Sequence, residues 1–340
     1  MIEQPPNTEE GEKLPAVPRR RGRAVIVARE LSHEEYAAQL RVLEQAAAAL
    51  NTVRSYSSGV QQFLDWGGLL PTDEETVLRY LVQHSQRLNP RTLSHRLSAL
   101  AKWHAQQGFR DPTIAPRVRQ TLAGIQRLYG RPKRQAKALP IEGLEQIARV
   151  LTSDPSLSAL RDNALLQMGF LGGFRRSELV AISVADLVWE TEGLTVVLPR
   201  SKTDQVGDGL LRAIPYGPAG GLCAATALRA WLHASGIVEG PVFRPITRTG
   251  HVRNMALGAG SVTDILVLRA QQAGLPHVPD LSAHSLRRGM ATSAYRAGAS
   301  GSAIKRQGGW KRDETVQGYI EEVDRFEDNV AKAMFKPNKG

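Results

Sequence analysis

The chain has 340 residues, 42% of them apolar, and its 44 lysines and arginines outnumber its 33 acids, so the formal net charge is +11. This length is sufficient for two domains with separate cores. There is no apolar run of 18 residues, no apolar leader, and a single cysteine, Cys223. These features argue against a membrane span, a secretion signal and an internal disulfide, and predict a cytoplasmic, nucleoid-associated protein.

The positive charge is concentrated in one stretch of the sequence. Between His84 and Ala138 there are twelve lysines or arginines and one acid, Asp111, so this stretch alone carries +11. Such dense charge repels itself unless a partner neutralises it, which favours a nucleic acid over a membrane surface or a solvated basic face. The candidate DNA contacts are Arg87, Arg91, Arg117, Arg119, Arg131, Lys133 and Arg134.

Residues 1–28 are predicted to be a disordered basic arm, because four prolines interrupt a polar, charged sequence. Residues 29–129 are predicted to form an all-helical domain, since amphipathic runs there follow helix-starting residues. The five expected helices cover residues 32–50, 52–66, 72–84, 89–108 and 111–129.

Three of these helices have distinct start signals. Ser32 and Thr72 are each followed three residues later by glutamate, the spacing of a capping box. Asn89 precedes Pro90, which suits the first position of a helix. The fifth helix is expected to run unbroken from Asp111 to Tyr129.

The second half of the chain has a different pattern. Residues 130–139 are predicted to be a linker, 140–322 a second domain, and 323–340 a C-terminal helix with an amphipathic segment to Phe335. Apolar runs at 194–198 and 210–216 predict a β-hairpin with its turn at 201–209. The expected fold class is therefore mainly α with a small antiparallel β-sheet. The expected helices cover residues 141–151, 158–172, 222–235, 260–274, 285–297, 302–308 and 314–320.

Several groups able to bind a phosphate precede one tyrosine at short local spacings. Each residue alone would be an ordinary surface, capping or core residue. Together they supply cations and donors for an anionic phosphodiester and one phenol that could attack it. In chain order they are Arg175, Glu178, Lys202, His284, Arg287, Trp310 and Tyr319.

This order resembles the signatures of the tyrosine recombinases, or phage-integrase family. Residues 171–179 (LGGFRRSEL) resemble the first signature, and 284–287 (HSLR) the second. Gly309-Trp310, with Tyr319 nine residues later, resembles the third. Tryptophan in place of the histidine found in many members makes the chain similar to the Cre-like branch.

The resemblance implies that the helical domain of residues 29–129 is a DNA core-binding domain. It implies that residues 140–322 are a tyrosine-recombinase catalytic domain. It also implies DNA integration or recombination through a 3′-phosphotyrosyl intermediate, with strands exchanged in a Holliday junction. The implied partner is double-stranded DNA with inverted-repeat sites, bound by a homotetramer. No cofactor and no metal are expected, because the phosphotyrosine conserves the bond energy and arginines supply the cations.

The expected roles follow from the chemistry of a phosphodiester. Arg175 and Arg287 present planar guanidinium groups that can hold the phosphate and stabilise the additional charge of its transition state. The indole of Trp310 can only donate, which suits one phosphate oxygen. Tyr319 is the expected nucleophile.

Proton transfer is assigned to the remaining groups. Lys202 is the expected general acid for the leaving 5′ oxygen, with Arg200 and Lys305 as alternatives. His284 is a candidate acid or base. Glu178 is expected to orient His284 or Arg175, or simply to pair with Arg175 as an i, i+3 neighbour.

Other interpretations remain open at this point. A type IB topoisomerase uses a similar set of residues, and a non-catalytic DNA-binding protein could retain the fold. Arg176 and Arg288 are interpreted as DNA-phosphate contacts or surface groups. The C-terminal helix could pack on its own domain or be exchanged between protomers.

Overall fold

The computed structural model describes residues 32, 34–40, 50–132, 135–198, 210–324, 331 and 334. The chain divides into two compact units, Met1–Arg131 and Pro132–Gly340. Each unit has its own hydrophobic core. None of the helices in the described part of the chain is long and apolar enough to cross a membrane.

Regular structure in the described residues of the N-terminal unit is helical, and no strand occurs among them. The expected all-α character is therefore confirmed for those residues. The helices are α1 (34–40), α2 (Leu50–Asp65), α3 (Glu74–His84), α4 (Pro90–Gln107) and α5 (Pro116–Tyr129).

The core of this unit is built from apolar side chains at helical spacing. Leu93, Leu97 and Leu100 lie on one face of α4, which packs against α2 and α5. Phe63 of α2 and Tyr80 of α3 meet edge to face with ring centroids 5.2 Å apart. Full burial of each large apolar side chain contributes about 2 kcal/mol to folding.

Two predicted helix starts are confirmed. The Ser32 hydroxyl accepts from the Glu35 N–H at 3.2 Å, and the Glu35 carboxylate accepts from the Ser32 N–H at 3.0 Å. The Asn89 side chain accepts from the Arg91 N–H at 2.9 Å, with Pro90 beginning α4. These bonds satisfy backbone donors that have no partner within the helix.

The predicted start of α3 is wrong by one residue. Asp73, not Thr72, caps the helix and accepts from the Thr76 N–H at 2.8 Å. Hydrogen bonding to the Thr76 side chain, and then to its N–H, lowers the pKa of Asp73 below its usual value. A carboxylate is a better cap than a hydroxyl next to the positive end of the helix dipole. The Thr72 N–H instead donates to His104 Nε2 at 3.1 Å.

The predicted fifth helix is interrupted. A 3₁₀ turn covers Pro112–Ile114, and α5 begins only at Pro116. Proline disfavours helical backbone at the preceding residue, and Ala115 has φ −56° and ψ 137°. The Pro116 ring therefore sets the position at which the helix is interrupted.

The C-terminal unit contains eight further helices among its described residues, in nearly the order predicted. The short helix α8 had no predicted counterpart. They are α6 (Ile141–Thr152), α7 (Leu157–Leu171), α8 (Arg176–Ala181), α9 (Ala224–Ser235), α10 (Ser261–Gln272), α11 (Ala283–Arg296), α12 (Gly301–Gly308) and α13 (Asp313–Asp324).

One antiparallel sheet with strand order β1-β2-β3 completes this unit. The expected hairpin is confirmed as β2 (Gly193–Leu198) paired with β3 (Leu210–Pro215). The third strand, β1 (Leu187–Trp189), was not predicted, because three residues are too few to show an alternating pattern. The predicted turn at 201–209 lies outside the described residues.

A buried ion cluster joins α7 to α10. Asp162 is 1% exposed and accepts from Arg161 at 2.6 Å and from Arg269 at 2.8 Å. Both carboxylate oxygens are thus paired, which is the condition under which a buried charge is tolerated.

Candidate active site

Arg175 occupies a turn between α7 and α8. Gly173, two residues earlier, has φ +58°, a backbone conformation that favours glycine. Glu178 accepts from the Arg175 N–H at 3.0 Å, and its carboxylate forms an ion pair with the Arg175 guanidinium. Arg175 Nη2 also donates to the Gly309 carbonyl at 3.4 Å. Local capping and a distant carbonyl together orient this side chain.

Arg287, in the second turn of α11, is 3% exposed. Its Nη1 donates to the Gly173 carbonyl, and its guanidinium lies 4.1 Å from the centre of the Trp310 ring. Its Nη2 has no hydrogen-bond partner. Burial, reinforced by the charge of Arg175, lowers the pKa of Arg287 to about 10, so it remains a cation at neutral pH.

Tyr319 on α13 meets two of the predicted site residues. Its hydroxyl oxygen lies 3.2 Å from His284 Nε2. Its ring contacts that of Trp310 edge to face, with centroids 5.6 Å apart. Both aromatic residues are nearly buried, Trp310 at 8% and Tyr319 at 9% exposure. Residues from α11, α13 and the turn after α12 therefore converge at one place.

The interpretation of Arg288 as a surface group is wrong. It is 2% exposed, and its Nη1 donates to the side-chain oxygen of Gln135 at 2.6 Å. Its guanidinium lies 5.4 Å from the centre of the Tyr319 ring. Consecutive residues of a helix face directions about 100° apart, so the packing of α11 decides which of them are covered. Arg176 is exposed.

Arg212 on β3 belongs to this cluster and was missed from the sequence. It is fully buried, and its Nη1 donates to the Arg306 carbonyl at 2.7 Å. Burial lowers the pKa of Arg212 to about 10; the charge of Glu178 opposes that shift and the charge of Arg175 adds to it. The alternation of residues along a strand is the sequence signal that could have revealed Arg212, because positions 210, 212 and 214 lie on the same face of the strand.

The three candidates for the general acid, Lys202, Arg200 and Lys305, can be compared only in part. Lys202 and Arg200 lie outside the described residues. Lys305 forms an ion pair with Asp313 at 2.7 Å, at the end of α12. Glu178, for its part, forms an ion pair with Arg175, as expected of i, i+3 neighbours on a helix.

The basic residues of the N-terminal unit are mostly exposed. Arg87 and Arg131 line one cavity of about 340 Å³, and Arg91 Nη1 donates to the Arg131 carbonyl at 3.4 Å. Arg117 instead lies 3.9 Å from Glu74 and 3.8 Å from Glu75. Arg119 is exposed, and Lys133 and Arg134 lie outside the described residues.

The charge balance of the cluster gives a first prediction, for Glu178→Gln. Burial lowers the pKa of both Arg212 and Arg287, and the charge of Glu178 opposes that shift. Its loss therefore leaves these two guanidinium groups and that of Arg175 less compensated. We expect the free energy of unfolding to fall by about 3 kcal/mol in denaturant titrations, the lower end of the cost of breaking a buried ion pair, because the Arg175 side chain is partly exposed. The exposed Glu145→Gln is the control. Equal stability of the two variants would contradict the assignment of Glu178 as the carboxylate that compensates these arginines.

Comparison with known proteins identifies the class. Residues 138–325, more than half of the chain, match the model of the phage integrase family. An integrase/recombinase xerD homolog of Selenomonas ruminantium is 37% identical over 304 residues, covering 87% of this chain and 88% of that protein. The recombinase cre of Escherichia phage P1 is 25% identical over 275 residues, covering 75% and 77%.

The fold is also found among solved structures. A lambda integrase tetramer bound to a Holliday junction superposes with a TM-score of 0.57 at 16% identity, covering 88% of this chain and 79% of that chain. The chain belongs to the phage integrase family. It is an enzyme of the site-specific DNA recombinase class.

Among the described residues, no group of three or more histidine, cysteine or acidic side chains could hold a metal ion.

Proposed function

We propose that this enzyme cleaves and rejoins DNA through a 3′-phosphotyrosyl intermediate at Tyr319. The observation that carries the proposal is the 3.2 Å approach of the Tyr319 hydroxyl to His284 Nε2, beside Trp310. A phenol next to a proton acceptor and buried guanidinium groups has what a nucleophile for an anionic phosphodiester requires.

In the proposed cleavage step the Tyr319 oxygen forms a bond to phosphorus as the bond from phosphorus to the 5′ oxygen breaks. His284 accepts the phenolic proton, and a general acid, assigned to Lys202, protonates the departing 5′ oxygen. The DNA 3′ phosphate is then joined to Tyr319. Attack by a 5′ hydroxyl reverses every bond change, so rejoining needs no external energy source.

Arg175 and Arg287 are proposed to hold the scissile phosphate, with Trp310 donating to one of its oxygens. The unpartnered Nη2 of Arg287 supports this role, because a buried donor without a partner costs folding free energy. Phosphate oxygens would satisfy that donor. This hydrogen bond would stabilise the transition state more than the bound substrate, since the phosphate oxygens carry more charge in the transition state.

The arrangement on DNA is proposed from the charge distribution and the relatives. Residues 29–129 would bind DNA and 130–139 would follow its phosphates, with 1–28 a basic arm. Residues 140–322 would cleave the DNA, and residues 323–340 would link protomers through an exchanged C-terminal helix. Four protomers would exchange strands between two inverted-repeat sites through a Holliday junction, the assembly in which lambda integrase has been solved.

The test uses nicked duplexes that span inverted repeats in the DNA flanking the gene. A nick next to the cleavage point lets the freed fragment diffuse away and traps the covalent intermediate. We expect the full chain to form an adduct stable to denaturing detergent and attached to the 3′ phosphate. A duplex with no adduct, or attachment at a 5′ end, would contradict the proposal.

The same preparation separates recombination from simple relaxation. A type IB topoisomerase would relax a supercoiled plasmid that lacks any specific site. We expect strand exchange between two sites and resolution of synthetic four-way junctions instead. Relaxation without site dependence would favour the topoisomerase.

A further inference from the structure

Arg212 is a poorly compensated buried charge in the described part of the C-terminal unit. Its side chain is fully buried, yet Nε and Nη2 have no hydrogen-bond partner. Guanidinium groups carry five donors, and unsatisfied buried donors oppose folding. Because its pKa is about 10 in the folded protein and higher in the unfolded chain, the charge at neutral pH also opposes folding. The fold therefore retains a charge that destabilises it.

The contacts of Arg212 lie on the turn that follows α12. Its Nη1 donates to the Arg306 carbonyl, which also accepts from the Gly309 N–H at 3.1 Å. Gly309 has φ +58°, and a side chain there would place its Cβ 2.4 Å from Arg212 Nη2. The guanidinium thus packs directly against the glycine that precedes Trp310.

A second side chain joins the same two elements in the opposite direction. Gln307 Nε2 donates to the Ala213 carbonyl of β3 at 3.1 Å and to the Leu171 carbonyl at 2.9 Å. Strand β3 and the end of α12 are therefore connected from both sides.

This turn carries two groups of the proposed active site. The Gly309 carbonyl accepts from Arg175, and the Trp310 ring lies against the Arg287 guanidinium. The charge of Arg212 also lowers the pKa of Arg287. Arg212 consequently acts on both catalytic arginines without any exposed surface of its own.

We propose that Arg212 is a positioning residue of the active site. It holds the Gly309–Trp310 turn on β3 and adds a buried positive charge to those of Arg175 and Arg287. The inference rests on the proposed function, because it assigns Arg212 to that same phosphate site.

The test compares Arg212→Met, which removes the charge, with Arg212→Lys, which keeps it. The control is Arg269→Met, since Arg269 is also buried but pairs with Asp162. Four quantities are measured on the full chain: covalent adduct formation, DNA affinity, melting temperature, and amide hydrogen exchange across residues 304–311.

For Arg212→Met we expect adduct formation to slow about 100-fold while DNA affinity changes less than about twofold. Its melting temperature should stay level or rise, because an uncompensated buried charge is gone. The Gly309 and Trp310 amides should exchange faster. Arg212→Lys should recover most of the rate. Arg269→Met should lower the melting temperature without slowing the folded enzyme.

Two results would overturn the inference. One is normal adduct formation and exchange in Arg212→Met. The other is a fall in melting temperature like that of Arg269→Met with no recovery in Arg212→Lys, which would make Arg212 purely structural. If the unmodified chain forms no adduct, the proposed function fails. The exchange rates of the Gly309 and Trp310 amides in Arg212→Met still test whether Arg212 holds the turn.

Discussion

Replacing Tyr319 with phenylalanine is expected to abolish the covalent DNA adduct, a loss of at least about 10⁴-fold in cleavage. The substitution removes only the hydroxyl that attacks phosphorus. The ring can keep its edge-to-face contact with Trp310 and its place over Arg288. The measurement is trapping on nicked duplexes, with DNA affinity determined in parallel by gel shift.

DNA affinity of Tyr319→Phe should remain unchanged, because the proposed phosphate ligands are arginines. The lost hydrogen bond to His284 should reduce the free energy of unfolding by only about 1 kcal/mol. Tyr216→Phe is the matched control, since that hydroxyl accepts from Arg229 on the surface of the same unit. An adduct that persists in Tyr319→Phe would show that another residue is the nucleophile.

Arg287→Lys is expected to reduce the rate of adduct formation by about 10²–10³-fold. Lysine preserves the charge but cannot donate to the Gly173 carbonyl, stack flat on Trp310 and face the phosphate at once. The loss should appear in the single-turnover rate with bound DNA, because the interaction strengthens as charge develops in the transition state.

The control for this variant lies on the same helix. Arg296 is exposed near the end of α11, so Arg296→Lys should leave the cleavage rate unchanged. If Arg287→Lys cleaves as fast as Arg296→Lys, charge alone suffices and the proposed role of the guanidinium geometry is wrong. If Arg287→Lys weakens DNA binding but leaves the single-turnover rate with bound DNA unchanged, Arg287 acts in binding only.

Much of the site could be predicted because its members form short local pairs. Arg175 and Glu178 are three residues apart, as are His284 and Arg287, so one turn of backbone brings each pair together. Helix starts at Ser32 and Asn89 were equally local, since each cap bonds a residue two or three positions away.

Features that depend on distant packing could not be predicted in this way. Arg288 looks like its neighbour Arg287 in the sequence, yet its environment is set by Gln135 and the Tyr319 ring. The Thr72 N–H, which the predicted capping box would pair with Glu75, donates instead to His104. In both cases the deciding partner lies more than thirty residues away along the chain.

By itself, the sequence determined which groups the proposed chemistry can use, because Arg175 with Glu178 and His284 with Arg287 occur at spacings of one helical turn. The tertiary structure alone decided that Arg212 would join them. Strand alternation puts its position on the buried face of β3, and an arginine is buried there only where another element covers it. That cover is the Gly309 turn, ninety-seven residues further along the chain.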